Sequence, residues 1–320
     1  MTSPSELAEY INAGIAQLPY PKEPANLYAP ISYTLESGGK RLRPTLLLAV
    51  VEALGGKKED AINQAIGLEM FHNFTLLHDD VMDNADVRRG RPTVHRKWGR
   101  DAAILSGDTM LTMSTQLMCD CPREHLAEVL DLFNRTAIEI YEGQQYDMNF
   151  EERNDVTVAE YMEMIRLKTS VLLGCACKTG AILANASPRV QQAFYDYGIK
   201  LGLAFQLQDD YLDTYGDPLI FGKQIGGDIV NAKKTWLLIT AQAEDETAEL
   251  KNALAGSLPD SEKIDAVRNV YNRLGLDKRI ASLVEEYALE AVAQIEAIDI
   301  NAAWKEYFRS LAMNLVKRSN

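Results

Sequence analysis

The chain has no long apolar run and no excess of positive charge. Its longest apolar stretch, near residues 46–51, is far shorter than the roughly 18 to 20 residues that span a bilayer. The N-terminal sequence MTSPSELAEY lacks the basic and then apolar pattern of a secretory signal. The net charge of -13 argues against nucleic acid, because binding a phosphate backbone needs a basic surface. These absences predict a cytoplasmic protein that neither inserts stably into a membrane nor binds nucleic acid.

Proline is also scarce, which favours helix. It is absent from three long spans, 45–91, 123–187 and 260–320. Within them apolar residues recur at intervals of three and four, as at Ile62, Ala65, Ile66 and Met70. Alternating strand patterns are hard to find, and no linker-like segment divides the chain. The sequence predicts an all-α single domain over residues 1–320, a bundle of ten or more helices.

Glycine and proline pairs mark where these helices should end. They are Gly55-Gly56, Gly90 to Pro92, Cys121-Pro122, Ser187-Pro188, Asp217-Pro218, Gly226-Gly227 and Leu258-Pro259. Glycine accepts left-handed backbone at a helix end, and proline cannot continue a helix interior.

Only four cysteines are present, as two C-x-C pairs: Cys119 with Cys121, and Cys175 with Cys177. In a helix, residues i and i+2 point to nearly opposite sides, so neither pair chelates a metal well alone. We expect four reduced thiols without a metal.

An acidic motif occurs twice, as DDVMD at 79–83 and as DDYLD at 209–213. The i, i+4 spacing places the outer carboxylates of each motif on one helix face, about 6 Å apart at Cβ. One such motif could be a solvated helix end, but both follow apolar sequence, where unpaired charge is costly. Clusters that face each other would hold hard cations, and Mg²⁺ suits best because it keeps waters and bridges to ligand phosphates.

Basic residues accompany the acidic motifs. The segment GGKRLRP at 38–44 carries three cations but lacks the P-loop frame, and alone it could be a basic helix C-cap. Arg88 and Arg89 follow the first acidic motif, and further cations precede or follow the second: Lys168, Lys223, Lys233 and Lys234. Metal and cations together predict an anionic ligand such as a diphosphate.

His78 precedes the first motif and raises the alternative of an HD-type metal phosphohydrolase. That chemistry needs several histidine ligands, and only His72, His78, His95 and His125 exist, without metal-ligand spacing. We expect His78 to cap or orient the aspartates.

These motifs together resemble the trans-isoprenyl diphosphate synthases of the polyprenyl synthetase family. The resemblance covers GGKRLRP, LLHDDVMDNADVRRGRPTVH, KT, FQLQDDYLD and FGKQIGGDIVNAKKTW, in the family's order. It implies helices around a deep central cavity, a homodimer, and head-to-tail condensation of isopentenyl diphosphate with allylic diphosphates of the C5, C10 and C15 classes. The implied products are geranylgeranyl or farnesyl diphosphate.

The resemblance also implies the catalytic residues. The ligands of three Mg²⁺ ions would be Asp79, Asp83, Asp209 and Asp213. Asp80 and Asp210 would support them, and Asp228 would assist a metal-bound water. Thr169 and Gln206 would face the developing allylic cation.

Two diphosphate sites are implied in the same way. The allylic diphosphate would be gripped by Arg88, Lys168, Lys223 and Lys233. The isopentenyl diphosphate site would comprise Lys40, Arg43, His72 and Arg89, with Arg41 beside it.

Product length is expected to depend on Phe74, five positions before the first motif. In the family, bulky residues four and five positions before this motif form the floor of the product tunnel, and here they are Thr75 and Phe74. One aromatic beside a small residue resembles enzymes that stop at C20 or C15. The alternative is that Phe74 is only packed in the core.

Two rival functions remain from the sequence. A class I terpene cyclase shares the first motif, but usually has an N/D-x-x-S/T-x-x-x-E motif where this chain has DDYLD. A non-catalytic subunit of a heteromeric prenyltransferase characteristically loses an aspartate motif, and this chain keeps both.

Overall fold

The computed structural model describes residues 2–217, 225–256 and 258–317. The helices are α1 (Pro4–Ala16), α2 (Ala25–Glu36), α3 (Leu42–Ala53), α4 (Ile62–Met82), α5 (Val94–Trp98), α6 (Arg100–Cys119), α7 (Arg123–Glu152), α8 (Val158–Ile165), α9 (Val171–Leu183), α10 (Pro188–Tyr215), α11 (Gly227–Val230), α12 (Trp236–Glu244), α13 (Glu249–Ala255), α14 (Asp260–Arg273), α15 (Leu276–Glu296) and α16 (Ala302–Lys317). A 3₁₀ turn lies at Lys58–Asp60, and a π-helical turn, Arg166–Ser170, joins α8 to α9. The all-α prediction is confirmed.

The chain forms two compact units. Unit 1 comprises Met1–Arg135 and Cys175–Phe194, and unit 2 comprises Thr136–Gly174 and Tyr195–Asn320. The prediction of a single domain around a deep central cavity stays a prediction. Within the described residues, no helix has the length and apolar character that crossing a bilayer requires.

Local sequence explains where several helices begin. Ser3 opens α1 with a capping box, because its hydroxyl accepts from the Glu6 backbone while the Glu6 carboxylate accepts from Ser3. Thr157 and Glu160 form the same arrangement at the start of α8. The predicted break at Cys121-Pro122 separates α6 from α7, and the break at Ser187-Pro188 precedes α10.

Unit 1 is organised around α4, whose last turn carries the first acidic motif. α4 packs closely on α6, where a Cβ at Gly107 would lie 2.2 Å from His78 Nε2. His78 uses this space to pair its Nε2 with the Ile104 carbonyl at 3.0 Å, and its ring packs on Phe74. His78 therefore anchors α4 to α6, and these contacts replace the aspartate contact that the sequence predicted.

A short hairpin follows α4, which the sequence did not predict. β1 (Val87–Arg88) pairs antiparallel with β2 (Arg91–Pro92) through a two-residue turn. Both turn residues are left-handed, with φ 52° at Arg89 and 73° at Gly90, as a tight hairpin requires. The turn brings Arg88 and Arg89 back beside the end of α4.

All four cysteines are free thiols. Cys175 and Cys177 are buried in α9, whereas Cys119 is exposed at the end of α6.

Candidate active site

The loop before α3 has an uncommon backbone. Gly38, Gly39 and Arg41 all have positive φ, at 76°, 134° and 48°. This conformation turns the side chain of Arg41 into unit 1, where only 4% of the residue is exposed. Arg41 Nη1 pairs with Glu69 Oε1 at 2.6 Å, Nη2 donates to the Leu35 carbonyl, and Nε donates to Asn12. All three nitrogens of the Arg41 guanidinium thus have partners in the interior of unit 1.

Arg43 and His72 lie together, as the resemblance implied. Arg43 Nη1 lies 3.2 Å from His72 Nε2, which links the first turn of α3 to the middle of α4. Burial lowers the pKa of Arg43 to about 10 although the charge of Glu69 acts in the opposite direction, and nearby Arg89 also lowers it. Burial holds the pKa of His72 well below its usual value, and the charge of Arg43 adds to this effect. His72 is therefore neutral near pH 7 and can accept a hydrogen bond from Arg43.

Arg89 is held by the glycine-rich loop. Its Nη1 donates to the Gly38 carbonyl, and a Cβ at Gly39 would lie 3.0 Å from its Nη2. Any side chain at residue 39 would press on the guanidinium. The two glycines thus let the loop and the hairpin meet, which brings together cations from two separate sequence motifs. Lys40, also predicted to bind diphosphate, is exposed in this loop.

Arg88, which follows the first acidic motif, contacts two aspartates of that motif. Its Nε donates to Asp80 Oδ1 at 2.7 Å, and its Nη2 lies 3.6 Å from Asp79 Oδ2. Asp80 is buried, and burial raises its pKa although Arg88 acts in the opposite direction. Asp80 therefore fixes the arginine, while the Asp79 side chain remains 20% exposed and Asp83 lies exposed at the end of α4.

The acidic residues fit a hard divalent cation. Among the described residues, no three acidic, histidine or cysteine side chains converge on one point. Mg²⁺ does not need three protein ligands, because it is usually held by one or two carboxylates. Waters and substrate phosphates then complete its coordination shell. Asp79 and Asp83, one helical turn apart, offer oxygen ligands of the kind that Mg²⁺ prefers.

In unit 2, Lys168 and Thr169 lie in the π-helical turn. π turns are rare and often occur at functional sites. A Cβ at Gly143 of α7 would lie 2.4 Å from the Lys168 backbone nitrogen, so glycine alone permits this approach. One turn further along α7, Asp147 Oδ2 pairs with Lys168 Nζ at 2.6 Å. Asp147 was not predicted from the sequence, although its position one turn after the only glycine of α7 could have indicated a close approach of another segment.

Asp210 lies at the centre of a hydrogen-bonded chain. The Tyr161 hydroxyl donates to Asp210 Oδ2, and Gln206 Nε2 donates to Oδ1 at 3.3 Å. Thr169 Oγ1 donates in turn to Gln206 Oε1 at 3.2 Å. Burial raises the pKa of Asp210 to about 7, although hydrogen bonds from Tyr161 and Gln206 oppose this. The structure thus brings Thr169 and Gln206 together, and adds Tyr161, which sequence reasoning missed.

The second acidic motif ends at a backbone contact. Asp213 Oδ2 accepts from the Asp228 backbone N–H at 3.0 Å, and the Gly226 N–H bonds the Asp213 carbonyl. One of the two carboxylate oxygens predicted to bind metal is therefore used to hold the start of α11. Asp209, the other predicted ligand in this motif, is half-buried.

Lys233 lies near the residues of the second motif. Its Nζ is 4.0 Å from Asp228 Oδ1. Burial opposes its charge, but Asp228 and Asp147 together raise its pKa above the usual value. Lys223, the remaining predicted ligand, lies outside the described residues, so its placement stays a prediction.

Comparison with known proteins identifies the family of this chain. A family model described as polyprenyl synthetase matches residues 24–274. A geranylgeranyl pyrophosphate synthase of Geoglobus acetivorans is 38% identical over 315 residues, covering 98% of this chain and 97% of the relative.

Solved structures of the same kind of enzyme share the fold. The crystal structure of a geranylgeranyl pyrophosphate synthase has a TM-score of 0.95 at 43% identity and covers 100% of both chains. A Corynebacterium glutamicum geranylgeranyl pyrophosphate synthase, complexed with isoprenyl diphosphate and magnesium, has a TM-score of 0.83 at 28% identity and covers 98% of this chain and 96% of its own. The chain belongs to the polyprenyl synthetase family.

Proposed function

We propose that this chain, a prenyltransferase of the polyprenyl synthetase family, condenses isopentenyl diphosphate with allylic diphosphates to make geranylgeranyl diphosphate. One observation carries the proposal within unit 1. Arg43 is desolvated and its neighbour His72 is neutral. The Nε atom of Arg43 is buried and has no hydrogen-bond partner among the described residues. Arg43 is therefore a partly buried cation with a donor that an anionic ligand could pair with.

The isopentenyl diphosphate site would consist of Lys40, Arg43, His72 and Arg89. Arginine binds phosphate oxygens through a planar fork of donors, and hydrogen bonds between charged partners are the stronger ones. His72 would support this site as a neutral acceptor that orients Arg43. The Gly38 carbonyl would do the same for Arg89.

The allylic diphosphate would be bound by Arg88, Lys168, Lys223 and Lys233, the residues that the family resemblance implies. Asp147 holds Lys168 in place, which lowers the entropy that the lysine loses on binding. Thr169 and Gln206 would present fixed oxygen dipoles to the developing allylic cation. The departing diphosphate would accept the proton that is lost at the end of condensation.

The proposed cofactor is Mg²⁺, with three ions expected from the family resemblance. The proposed ligands are Asp79, Asp83, Asp209 and Asp213. When bound, Mg²⁺ neutralises the charge that develops on the leaving diphosphate. The relative crystallised with isoprenyl diphosphate and magnesium supports the choice of metal.

A product assay tests this function. Purified protein is incubated with Mg²⁺, isopentenyl diphosphate and each of the C5, C10 and C15 allylic diphosphates, and the products are measured by mass spectrometry. We expect a C20 diphosphate as the main product, with a C15 diphosphate as the shorter alternative. A hydrocarbon or alcohol without diphosphate would indicate a cyclase, and no product from any substrate would indicate a non-catalytic subunit.

We propose a homodimer as the functional form. Exposed apolar side chains on α7, Ile138 and Tyr141, are of the kind that helical interfaces bury. Sedimentation at micromolar concentration should give twice the 35.7 kDa of one chain. A mass near one chain would contradict the dimer.

A further inference from the structure

Arg41 is a buried charge with three separate anchors. Its guanidinium bonds Glu69 on α4 at 2.6 Å, the Leu35 carbonyl on α2 at 2.6 Å, and Asn12 on α1 at 2.9 Å. The side chains of Arg41 and Glu69 are each only 3% exposed. The guanidinium of Arg41 is thus directed to the protein interior through all three of its nitrogens, so Arg41 is poorly placed to donate to a substrate.

The backbone at Arg41 is left-handed, which is unfavourable for a residue with a side chain. Gly38 and Gly39 also have positive φ, which glycine adopts readily, so the unfavourable backbone conformation in this loop is that of Arg41. The anchors of Arg41 select this conformation, because the guanidinium reaches Glu69 only if the loop turns inward at residue 41. The side-chain anchors therefore offset the backbone cost.

The loop carries or contacts the cations of the proposed isopentenyl diphosphate site. Lys40 precedes Arg41, and Arg43 follows it by two residues in the first turn of α3. The Gly38 carbonyl holds Arg89. A shift of this loop would therefore move three proposed substrate ligands at once.

We propose that the Arg41–Glu69 ion pair positions the isopentenyl diphosphate site, and that Arg41 is a positioning residue without substrate contact. This inference rests on the proposed function. It assigns separate roles to three neighbouring cations of GGKRLRP: Lys40 and Arg43 bind, and Arg41 fixes the loop that presents them.

The test separates positioning from stability. Arg41→Met alone leaves Glu69 as an uncompensated buried charge and should lower Tm strongly. The double variant Arg41→Met/Glu69→Leu removes both charges, and such replacements of buried pairs are often neutral for stability. Asn73, which also bonds Glu69 Oε1, keeps its bond to the Glu69 carbonyl. We expect the double variant to recover Tm, yet to show a KM for isopentenyl diphosphate raised roughly tenfold, with the allylic KM changed less than about threefold.

Two further variants complete the experiment. Arg279→Met/Glu244→Leu removes an exposed ion pair of unit 2 and should leave both KM values unchanged. Arg41→Lys keeps the charge opposite Glu69 but has no fork to reach Leu35 and Asn12, so it should raise the isopentenyl diphosphate KM without unfolding the protein. This variant keeps the test decisive if the double variant does not fold.

The outcomes distinguish the two proposals. If the wild-type protein elongates and the folded double variant, or Arg41→Lys, has a wild-type KM for isopentenyl diphosphate, the positioning role is overturned while the proposed function stands. If the wild-type protein itself fails to elongate any allylic diphosphate, the proposed function is overturned, and the positioning role with it.

Discussion

The hydroxyl of Tyr161 donates a hydrogen bond to Asp210, so that a buried phenol and a buried carboxylate fix each other within unit 2. Asp210 in turn accepts from Gln206, and Gln206 accepts from Thr169. Gln206 and Thr169 are the two groups proposed to face the allylic cation. Their orientation thus depends on Tyr161, which is linked to them through Asp210.

Tyr161→Phe should lower kcat by roughly tenfold while leaving the KM for isopentenyl diphosphate near its wild-type value. The reason is that preorganised dipoles lose catalytic effect when their orientation is no longer fixed. Steady-state kinetics with both substrates varied checks this. The matched control is Tyr197→Phe, which removes a buried hydroxyl bonded to the Phe308 carbonyl at 2.9 Å. Equal kcat losses in the two variants would mean that Tyr161 acts only through stability.

Asp79→Ala should reduce turnover by about three orders of magnitude or more, because neutralising the leaving group is the main catalytic term. The folded state should persist, since the Asp79 side chain is partly exposed. Activity in Mg²⁺ is compared with that of Asp86→Ala, whose exposed carboxylate pairs with Arg96 just beyond the motif. Near-normal turnover by Asp79→Ala would refute its assignment as a metal ligand.

Arg43→Ala should raise the KM for isopentenyl diphosphate with a smaller effect on the allylic KM. Losing one charge-assisted contact to phosphate costs about 1.5 to 3 kcal/mol, which corresponds to roughly a tenfold to hundredfold change. Arg96→Ala removes an exposed cation and serves as the control. The reverse pattern, with the allylic KM affected more, would mean that the two diphosphate sites are exchanged.

His72 should make stability depend on pH in mildly acid solution. Burial and the nearby arginines hold its folded-state pKa well below 6.5, so the unfolded chain binds a proton that the folded protein does not. Stability from this group is complete above about pH 6.5 and is lost as pH falls toward the folded pKa, by at most about 1.4 kcal/mol per pH unit. Tm measured from pH 7.5 to 5 should therefore fall less steeply for His72→Gln than for the wild-type protein or for His125→Gln. Parallel curves would contradict this.

Phe74→Ala should lengthen the product by at least one isoprene unit if Phe74 forms the floor of the product tunnel. Phe74 is buried and packs edge-on against Phe71, with ring centroids 5.6 Å apart. A role in the core alone would instead cost about 3 to 5 kcal/mol of stability and leave the product unchanged. Phe133→Ala, which removes another buried ring in contact with Phe71, controls for stability. An unchanged product from active, folded Phe74→Ala would move the floor to Phe71 or Met110.

Features that depend on periodicity and turn chemistry were accessible from the sequence. Apolar residues at intervals of three and four predict α4, and the acidic motif falls in its last turn as expected. The breaks at Cys121-Pro122 and Ser187-Pro188 coincide with helix ends because proline cannot continue a helix. The pairing of Arg43 with His72, 29 residues apart, was accessible only through family resemblance.

Other features depend on backbone conformation that periodicity does not encode. Lys40, Arg41 and Arg43 cannot be distinguished by charge in the sequence. The left-handed backbone at residue 41 is what directs the side chain of Arg41 into the protein interior. The hairpin of β1 and β2 has two residues in each strand, too few for an alternating pattern. Asp147 and Tyr161 have no motif of their own, and their roles follow from which side chains their helices bring near Lys168 and Asp210.

The π-helical turn at Arg166–Ser170 has a consequence for how this region can vary. A π turn closes over one more residue than an α turn, and each residue of a regular helix rotates the chain by about 100°. The extra residue is absorbed within the turn, so deleting one residue there would give a regular helix whose two ends face nearly the same directions as before. A deletion between Tyr161 and Arg166, in the regular helix before the turn, would instead rotate Tyr161 by about 100° relative to Lys168. A change of length is therefore better accommodated at the π turn than in the helix that precedes it.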